Sequence, residues 1–190
     1  MSNLILASQS PRRKELLEQI QLSFSVMSSN VDETFSADLS PDEVVMYLAK
    51  KKAKEISKQH PTHYVIGSDT VVTKDGKILG KPESKEEAKE MLRMLSGSAH
   101  EVYTGVAIVH GEEEKLFYEK TDVTFWELTP KEIDDYIASE EPFDKAGSYG
   151  IQGIGAKFVK EIKGDYFAVV GLPISRVNRA LLEMGYLQSD

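Results

Sequence analysis

The 190-residue chain contains no cysteine, and this absence excludes several kinds of chemistry. Without thiols there can be no disulfide bond, no thiolate-bound zinc and no cysteine nucleophile. The sequence also has no apolar stretch of membrane-spanning length, and its N-terminus lacks the basic segment and apolar stretch of a signal peptide. The absence of cysteine fits a reducing compartment, and without a membrane or signal segment we expect a cytoplasmic protein with no membrane partner.

An excess of positive charge is also missing. The formal net charge is −8, with 41% hydrophobic and 28% charged residues, as in an ordinary globular protein. Non-specific binding to nucleic acid needs a broad basic surface, so we expect no nucleic-acid partner. Any anionic ligand would have to be held by a local cluster of basic side chains.

Neither of two common phosphate loops is present, since the sequence has no GxxxxGK[ST] and no GxGxxG. There is no internal repeat and no linker long enough to separate domains. Short apolar runs alternate with capped helical segments, which predicts one mixed α/β domain over residues 1–190.

The first helix begins with an unusual turn. An apolar run at residues 4–6 predicts a buried strand, Ser10 is a good N-cap, and Pro11 fits the first helical turn. Residues 12–14 then place three cations where they oppose the helix dipole unless an anion binds among them. The spacing leaves two interpretations open, an anion site or a solvated basic turn.

The second predicted helix has a strong start at Ser40, followed by proline and two acids. Its apolar face contains Leu48 and Ile56. A run of lysines is placed on the other side, where such a run is usually solvated and a lysine aimed at a ligand is the alternative. These lysines are Lys50, Lys51, Lys52 and Lys54.

The next strand, residues 64–72, contains an acid within an apolar run. Burying Asp69 is costly unless it meets a cation, a metal or several donors, so it is a candidate functional carboxylate. A turn at residues 67–69 is the alternative. Further along, the pattern predicts hairpins around residues 75–76 and 163–164, an antiparallel strand pair, and helices beginning at Ser84, Thr129 and Ser175.

Three carboxylates accompany the scattered cations: Asp32, Glu33 and Asp69. Carboxylates without a histidine cluster or cysteine suit a hard ion such as Mg²⁺ rather than zinc. A metal ion combined with arginine and lysine suits the hydrolysis of a polyphosphate. The residue types therefore point to phosphoanhydride chemistry.

Five motifs follow one another along almost the whole chain. They are SQSPRR at residues 8–13, GSDT at 67–70, GKP at 80–82, DKAGSYGIQG at 144–153 and GLP at 171–173. In these motifs the chain resembles the Maf family of nucleoside triphosphate pyrophosphatases. The resemblance implies an α/β fold with a mixed twisted sheet flanked by helices and two lobes around a cleft, similar to inosine triphosphate pyrophosphatases. It also implies a nucleoside triphosphate substrate, hydrolysis to the monophosphate and pyrophosphate, a divalent metal cation (Mg²⁺ or Mn²⁺) and a homodimer.

The same resemblance implies roles for individual residues. Asp69 is the expected catalytic base, and Arg12, Thr70 and Gln152 resemble the branch that acts on dTTP, UTP and related pyrimidine nucleotides. The residues expected at the phosphate are Ser8, Arg13, Lys52 and Lys81, and those expected at the metal are Glu33 and Asp69. Ser68 departs from the alanine that is common before the aspartate.

Gln152 has a physical reason to recognise the base, because an amide can pair with the carbonyl and ring N–H of uracil or thymine. The alternative function is a nucleotide-binding regulator of septum formation that acts through a protein partner, since the family has been linked to arrest of cell division. A second alternative is an inosine or xanthosine triphosphatase, against which the Ser-Pro-Arg-Arg start argues.

Overall fold

The computed structural model describes residues 3–187, which form two compact units. The first unit takes in the described residues up to Asp69, Thr104–Glu119 and the described residues from Gly171 onward. The second takes in Thr70–Tyr103 and Lys120–Val170. Of the four boundaries between the units, those at residues 69/70, 103/104 and 119/120 fall within strands, and the one at residues 170/171 falls directly after a short helix.

Within residues 3–187 the chain forms seven strands and six α-helices. The strands are β1 (Leu4–Leu6), β2 (Ser25–Val26), β3 (Tyr64–Lys74), β4 (Lys77–Leu79), β5 (Ala99–His110), β6 (Glu113–Phe125) and β7 (Val159–Lys163). The helices are α1 (Pro11–Gln19), α2 (Pro41–Ser57), α3 (Lys85–Leu95), α4 (Pro130–Ala138), α5 (Tyr166–Val170) and α6 (Ile174–Glu183). Short 3-10 helices cover Glu141–Asp144, Ala146–Ser148 and Ile154–Phe158.

The strands form a mixed sheet in the order β2-β1-β3-β5-β6-β7, with β4 paired to β3. β1 is parallel to β2 and to β3, whereas β4 and β7 run antiparallel to β3 and β6. β5 and β6 are neighbours joined by a two-residue turn, and they are antiparallel because two residues cannot form a crossover. The sheet and its flanking helices confirm the predicted α/β class.

The helix starts follow the predicted capping chemistry. The Ser10 hydroxyl accepts a hydrogen bond from the backbone N–H of Arg13 at the start of α1. At the start of α2, Ser40 forms a capping box in which its own N–H donates to Glu43 Oε2 at 2.8 Å. These bonds satisfy N–H groups that have no partner inside the helix. The helix starts at Pro11 and Pro41 are therefore confirmed.

The first unit has a core of small and β-branched side chains. They come from β1, α2, β3 and β5, together with the residue after β1: Ile5, Ala7, Ala49, Ala53, Ile56, Val65, Ala107 and Val109. Small side chains allow a helix to lie close to a sheet, so this core fixes α2 against β3.

The second unit has an aromatic core instead. Phe125, Tyr136 and Phe158 are almost fully buried, and Tyr149 and His100 pack edge-on against the Phe125 ring. The helices α3 and α4 of this unit contact each other. The turn between β3 and β4 has the left-handed φ values that an Asp-Gly hairpin needs, which confirms the predicted turn at residues 75–76.

One prediction in the last third of the chain is wrong. Residues 158–166 do not form a hairpin, because β7 ends at Lys163 and α5 begins at Tyr166. The Asp165 carboxylate accepts hydrogen bonds from the N–H groups of Phe167 and Ala168, which starts a helix there. The strand β7 instead pairs with β6.

No helix among residues 3–187 is both long enough and apolar enough to cross a bilayer.

Candidate active site

The site residues of the first unit lie after the carboxyl ends of parallel strands. Ser8 follows β1, Glu33 lies in the segment after β2, and Asp69 lies on β3 beyond the part that pairs with β1. β1 stands between β2 and β3, so the chain turns to opposite sides of β1 at this edge. Open α/β sheets bind ligands at such a switch point.

Three successive residues of β3 build the centre of the site. At Gly67 a side chain would overlap the Ala49 carbonyl of α2, so glycine allows the helix to approach the strand. The fully buried Ser68 hydroxyl lies 2.9 Å from the Gly105 carbonyl oxygen and 3.2 Å from that of Gly171. Asp69 follows, and β3 continues through it without a turn. The strand interpretation is therefore confirmed.

Lys52 of α2 forms an ion pair with each of the two carboxylates that are predicted to bind the metal. Its Nζ lies 2.7 Å from Asp69 Oδ1 and 2.8 Å from Glu33 Oε1. The Lys52 side chain is 10% exposed and that of Asp69 12%, whereas that of Glu33 is 61% exposed. The buried Asp69 carboxylate thus meets a cation, as its burial requires.

The placement of Lys52 on a solvated face is wrong. It lies four residues after Leu48 and four before Ile56, so it shares their buried face. The spacing of those two residues was the signal that could have identified a buried lysine.

Arg13 is held by the first and last motifs. Its Nε donates to the Gly171 carbonyl oxygen at 2.8 Å, and its Nη1 donates to Ser8 Oγ at 3.3 Å. The pKa of the Arg13 guanidinium is lowered, mainly by burial. The negative charge of Asp69 raises this pKa, and the positive charge of the neighbouring Arg12 lowers it. A guanidinium in this position stays charged at neutral pH.

This part of the site has the donor set for a divalent cation. Among residues 3–187 no group of three or more acidic or histidine side chains could hold a metal ion. Mg²⁺ needs fewer, because it binds through one or two carboxylates together with water and substrate phosphates. Glu33 and Asp69, which share the Lys52 ammonium, therefore fit such an ion.

Arg12 lies next to Arg13 on α1 in the first unit, and the remaining predicted residues belong to the second unit. Thr70 continues β3 and is half-buried, while Lys81 and Gln152 are exposed. The segments that carry Lys81 and Gln152 are joined, because the N–H of Gly147 donates to the Gly80 carbonyl oxygen at 3.1 Å. The first unit thus contains Arg12 and five other predicted site residues, Ser8, Arg13, Glu33, Lys52 and Asp69. The second unit joins the motif at residues 80–82 to the motif at residues 144–153.

Two contributions were missed by the sequence patterns. The Gly171 carbonyl was not predicted to orient Arg13, and the Ser68 hydroxyl was not predicted to contact two carbonyl oxygens. Gly171 is separated from Arg13 by 158 positions, so no local pattern could have identified this contact. The order of the five motifs was the available signal.

Comparison with known proteins defines the class. The family described as Maf-like protein matches residues 3–184. A Bacillus cereus protein (strain ATCC 14579) called dTTP/UTP pyrophosphatase is 58% identical over 181 residues, which is 95% of each chain. A protein of the same name from Bacillus anthracis (strain CDC 684) has the same identity and coverage. The solved Staphylococcus aureus Ham1 protein overlaps 64% of this chain and 71% of its own, with 17% identity and a TM-score of 0.46.

The family match covers nearly all of the described chain, and the relatives align over almost their full length. The chain belongs to the Maf family. The resemblance carried by the five motifs is thereby confirmed.

Proposed function

We propose that this protein is a nucleoside triphosphate pyrophosphatase that hydrolyses dTTP and UTP to the monophosphate and pyrophosphate. The observation that carries the chemistry is the Lys52 ammonium between the Asp69 and Glu33 carboxylates, in the unit that also contains Arg13. The proposed substrates follow the names of the relatives that are 58% identical. Modified pyrimidine nucleotides are further candidate substrates.

The N-terminus of α1 is the proposed phosphate site. Backbone N–H groups at a helix start favour an anion, and the Arg13 guanidinium can donate two hydrogen bonds to phosphate oxygens. Ser8 and Arg12 lie beside Arg13, Lys52 of the same unit supplies a further cation, and Lys81 stays a predicted phosphate residue. The positive charge of Arg12 lowers the pKa of Arg13 and so disfavours its charged form. A bound triphosphate would offset this repulsion between the two arginines.

Asp69 is the proposed general base. Its carboxylate accepts a proton from the attacking water. The water oxygen forms a bond to a phosphorus atom of the α–β phosphoanhydride while the bond from that phosphorus to the bridging oxygen breaks, and the monophosphate and pyrophosphate are released. Lys52 orients the carboxylate through its 2.7 Å contact with Oδ1. When bound at Glu33 and Asp69, Mg²⁺ or Mn²⁺ would neutralise phosphate charge and make a water molecule more acidic.

Substrate choice is assigned to Arg12, Thr70 and Gln152, and the amide of Gln152 is proposed to pair with the base. The test measures pyrophosphate release from dTTP, UTP, CTP and GTP, with Mg²⁺ and with EDTA. We expect turnover of dTTP and UTP that EDTA abolishes. In Gln152→Ala, we expect the preference for UTP over CTP to fall by about tenfold.

If Gln152→Ala keeps the wild-type preference, the assignment of Gln152 fails. If nucleotide binds and no pyrophosphate is released, the proposed activity is wrong and the regulator of septum formation becomes the better explanation. The homodimer implied by the family resemblance and the cytoplasmic location expected from the sequence stay predictions.

A further inference from the structure

The segment that carries Gln152 is anchored on both sides of that residue. Gly150 and Ile151 are buried before it and Gly155 is buried after it, while the Gln152 side chain is exposed. A fixed backbone with an exposed amide is the arrangement that a recognition residue needs. The anchors are side chains from outside the segment, and both belong to the second unit.

Glu141 holds the segment after Gln152. Its Oε2 accepts a hydrogen bond from the N–H of Ile154 at 2.8 Å, and its Oε1 accepts one from the N–H of Gly155 at 3.1 Å. These N–H groups stand at the start of the 3-10 helix Ile154–Phe158. A carboxylate at a helix start satisfies N–H groups that have no partner inside the helix.

Tyr136 holds the segment before Gln152. Its hydroxyl accepts a hydrogen bond from the N–H of Gly150 at 3.1 Å and donates one to Glu141 Oε1 at 2.9 Å. The Tyr136 ring is fully buried and packs edge-on against Phe158. One carboxylate and one phenol therefore form a continuous chain of hydrogen bonds from Gly150 to Ile154.

Two further observations fit this arrangement. A side chain at Gly153 would overlap the Glu141 carboxylate, so glycine leaves room for it. Burial alone would raise the pKa of the Glu141 carboxyl, but the hydrogen bonds from Ile154, Gly155 and Tyr136 hold it below its usual value. The carboxylate is therefore charged at neutral pH, as the two N–H donors require.

We propose that Glu141, acting with Tyr136, is a positioning residue for base recognition, because it fixes the backbone on both sides of Gln152. The proposal rests on the function proposed above, in which Gln152 reads the base. A preorganised segment loses less conformational entropy when the nucleotide binds. Loss of the Glu141 contacts should therefore raise KM and weaken discrimination between bases, and it should leave the chemical step at Asp69 unchanged.

The test replaces Glu141 with glutamine, which has nearly the same shape. A glutamine offers one oxygen and turns an NH₂ group toward one of the N–H donors, so a segment contact is lost. For Glu141→Gln we expect the KM for UTP to rise about fivefold, the preference for UTP over CTP to fall, and kcat to stay close to the wild-type value. Glu140→Gln is the matched control, since it removes the same charge from the exposed neighbouring residue.

A second variant, Tyr136→Phe, keeps the buried ring and removes only the hydroxyl. It should repeat the rise in KM and speed hydrogen exchange in residues 150–155. Combining Glu141→Gln with Gln152→Ala should give no further loss of discrimination beyond Gln152→Ala alone, because the two residues act as a unit.

Wild-type KM and discrimination in Glu141→Gln would overturn the inference, and so would an equal change in Glu140→Gln. If Gln152→Ala keeps full discrimination while Glu141→Gln loses it, the segment sets specificity through another residue. In that case the assignment of Gln152 fails and the positioning role of Glu141 stands.

Discussion

The two units of this molecule hold their candidate site residues in different ways. In the first unit the contacts at the centre join charged side chains, since Lys52 bridges Asp69 and Glu33. In the second unit they join a side chain to the backbone, since Glu141 binds the N–H groups of Ile154 and Gly155.

The difference has an energetic consequence. A buried charge that loses its oppositely charged partner is costly because it stays desolvated, whereas the loss of one hydrogen bond between a backbone N–H and the half-buried Glu141 carboxylate costs less. Substitutions in the first unit should therefore affect turnover and stability strongly, and those in the second should act more weakly. Three measurements test this contrast.

The largest effect is expected for Asp69→Asn. The amide has the shape of the carboxylate but cannot accept the proton of the attacking water, so turnover should fall by about 100-fold or more. Nucleotide binding should be largely kept. Steady-state pyrophosphate release and nucleotide titration measure the two effects, with Asp75→Asn in the exposed β3–β4 turn as a control. Near-normal turnover in Asp69→Asn would contradict the assigned base.

Lys52→Met should destabilise the fold by about 3 kcal/mol, because it leaves the buried Asp69 carboxylate without its nearest cation. Urea unfolding measures this, and the double variant with Asp69→Asn should recover a large part of the loss. The control is Lys54→Met, which removes a half-exposed lysine of the same helix and should cost less than about 1 kcal/mol. Equal losses in the two lysine variants would show that Lys52 is not a buried partner.

His100 in the second unit should give the smallest effect. Burial, with a lesser contribution from the Lys74 charge, lowers the pKa of His100 to about 4, and its Nε2 lies 2.7 Å from the Tyr149 hydroxyl. Below pH 6.5 the unfolded chain takes up a proton at this histidine that the folded chain does not, so stability falls as pH falls toward 4.

The expected loss through His100 is about 2 kcal/mol between pH 7 and pH 5. Urea unfolding at both pH values should show this part of the loss disappear in His100→Gln and persist in His63→Gln. A wild-type pH dependence in His100→Gln would contradict the prediction.

Much of the fold followed from local rules. The helix starts at Pro11 and Pro41 were predictable because N-caps and proline act within one turn, and the Asp-Gly hairpin because its backbone angles are set by two residues. The hairpin expected at residues 158–166 failed because Asp165 caps a helix instead. Glycine beside a short polar residue is compatible with either turn or helix start, and local sequence does not separate them.

The sequence by itself determined the order of the motifs, the helix caps and the chemistry of the available side chains. Only the tertiary structure decided that the buried Lys52 meets Asp69 and Glu33, because that depends on how close Gly67 allows α2 to come to β3. It also decided that Glu141 meets backbone N–H groups 13 and 14 positions away. Backbone donors are the same at every residue except proline, so their partners are selected by the path of the folded chain and not by residue type.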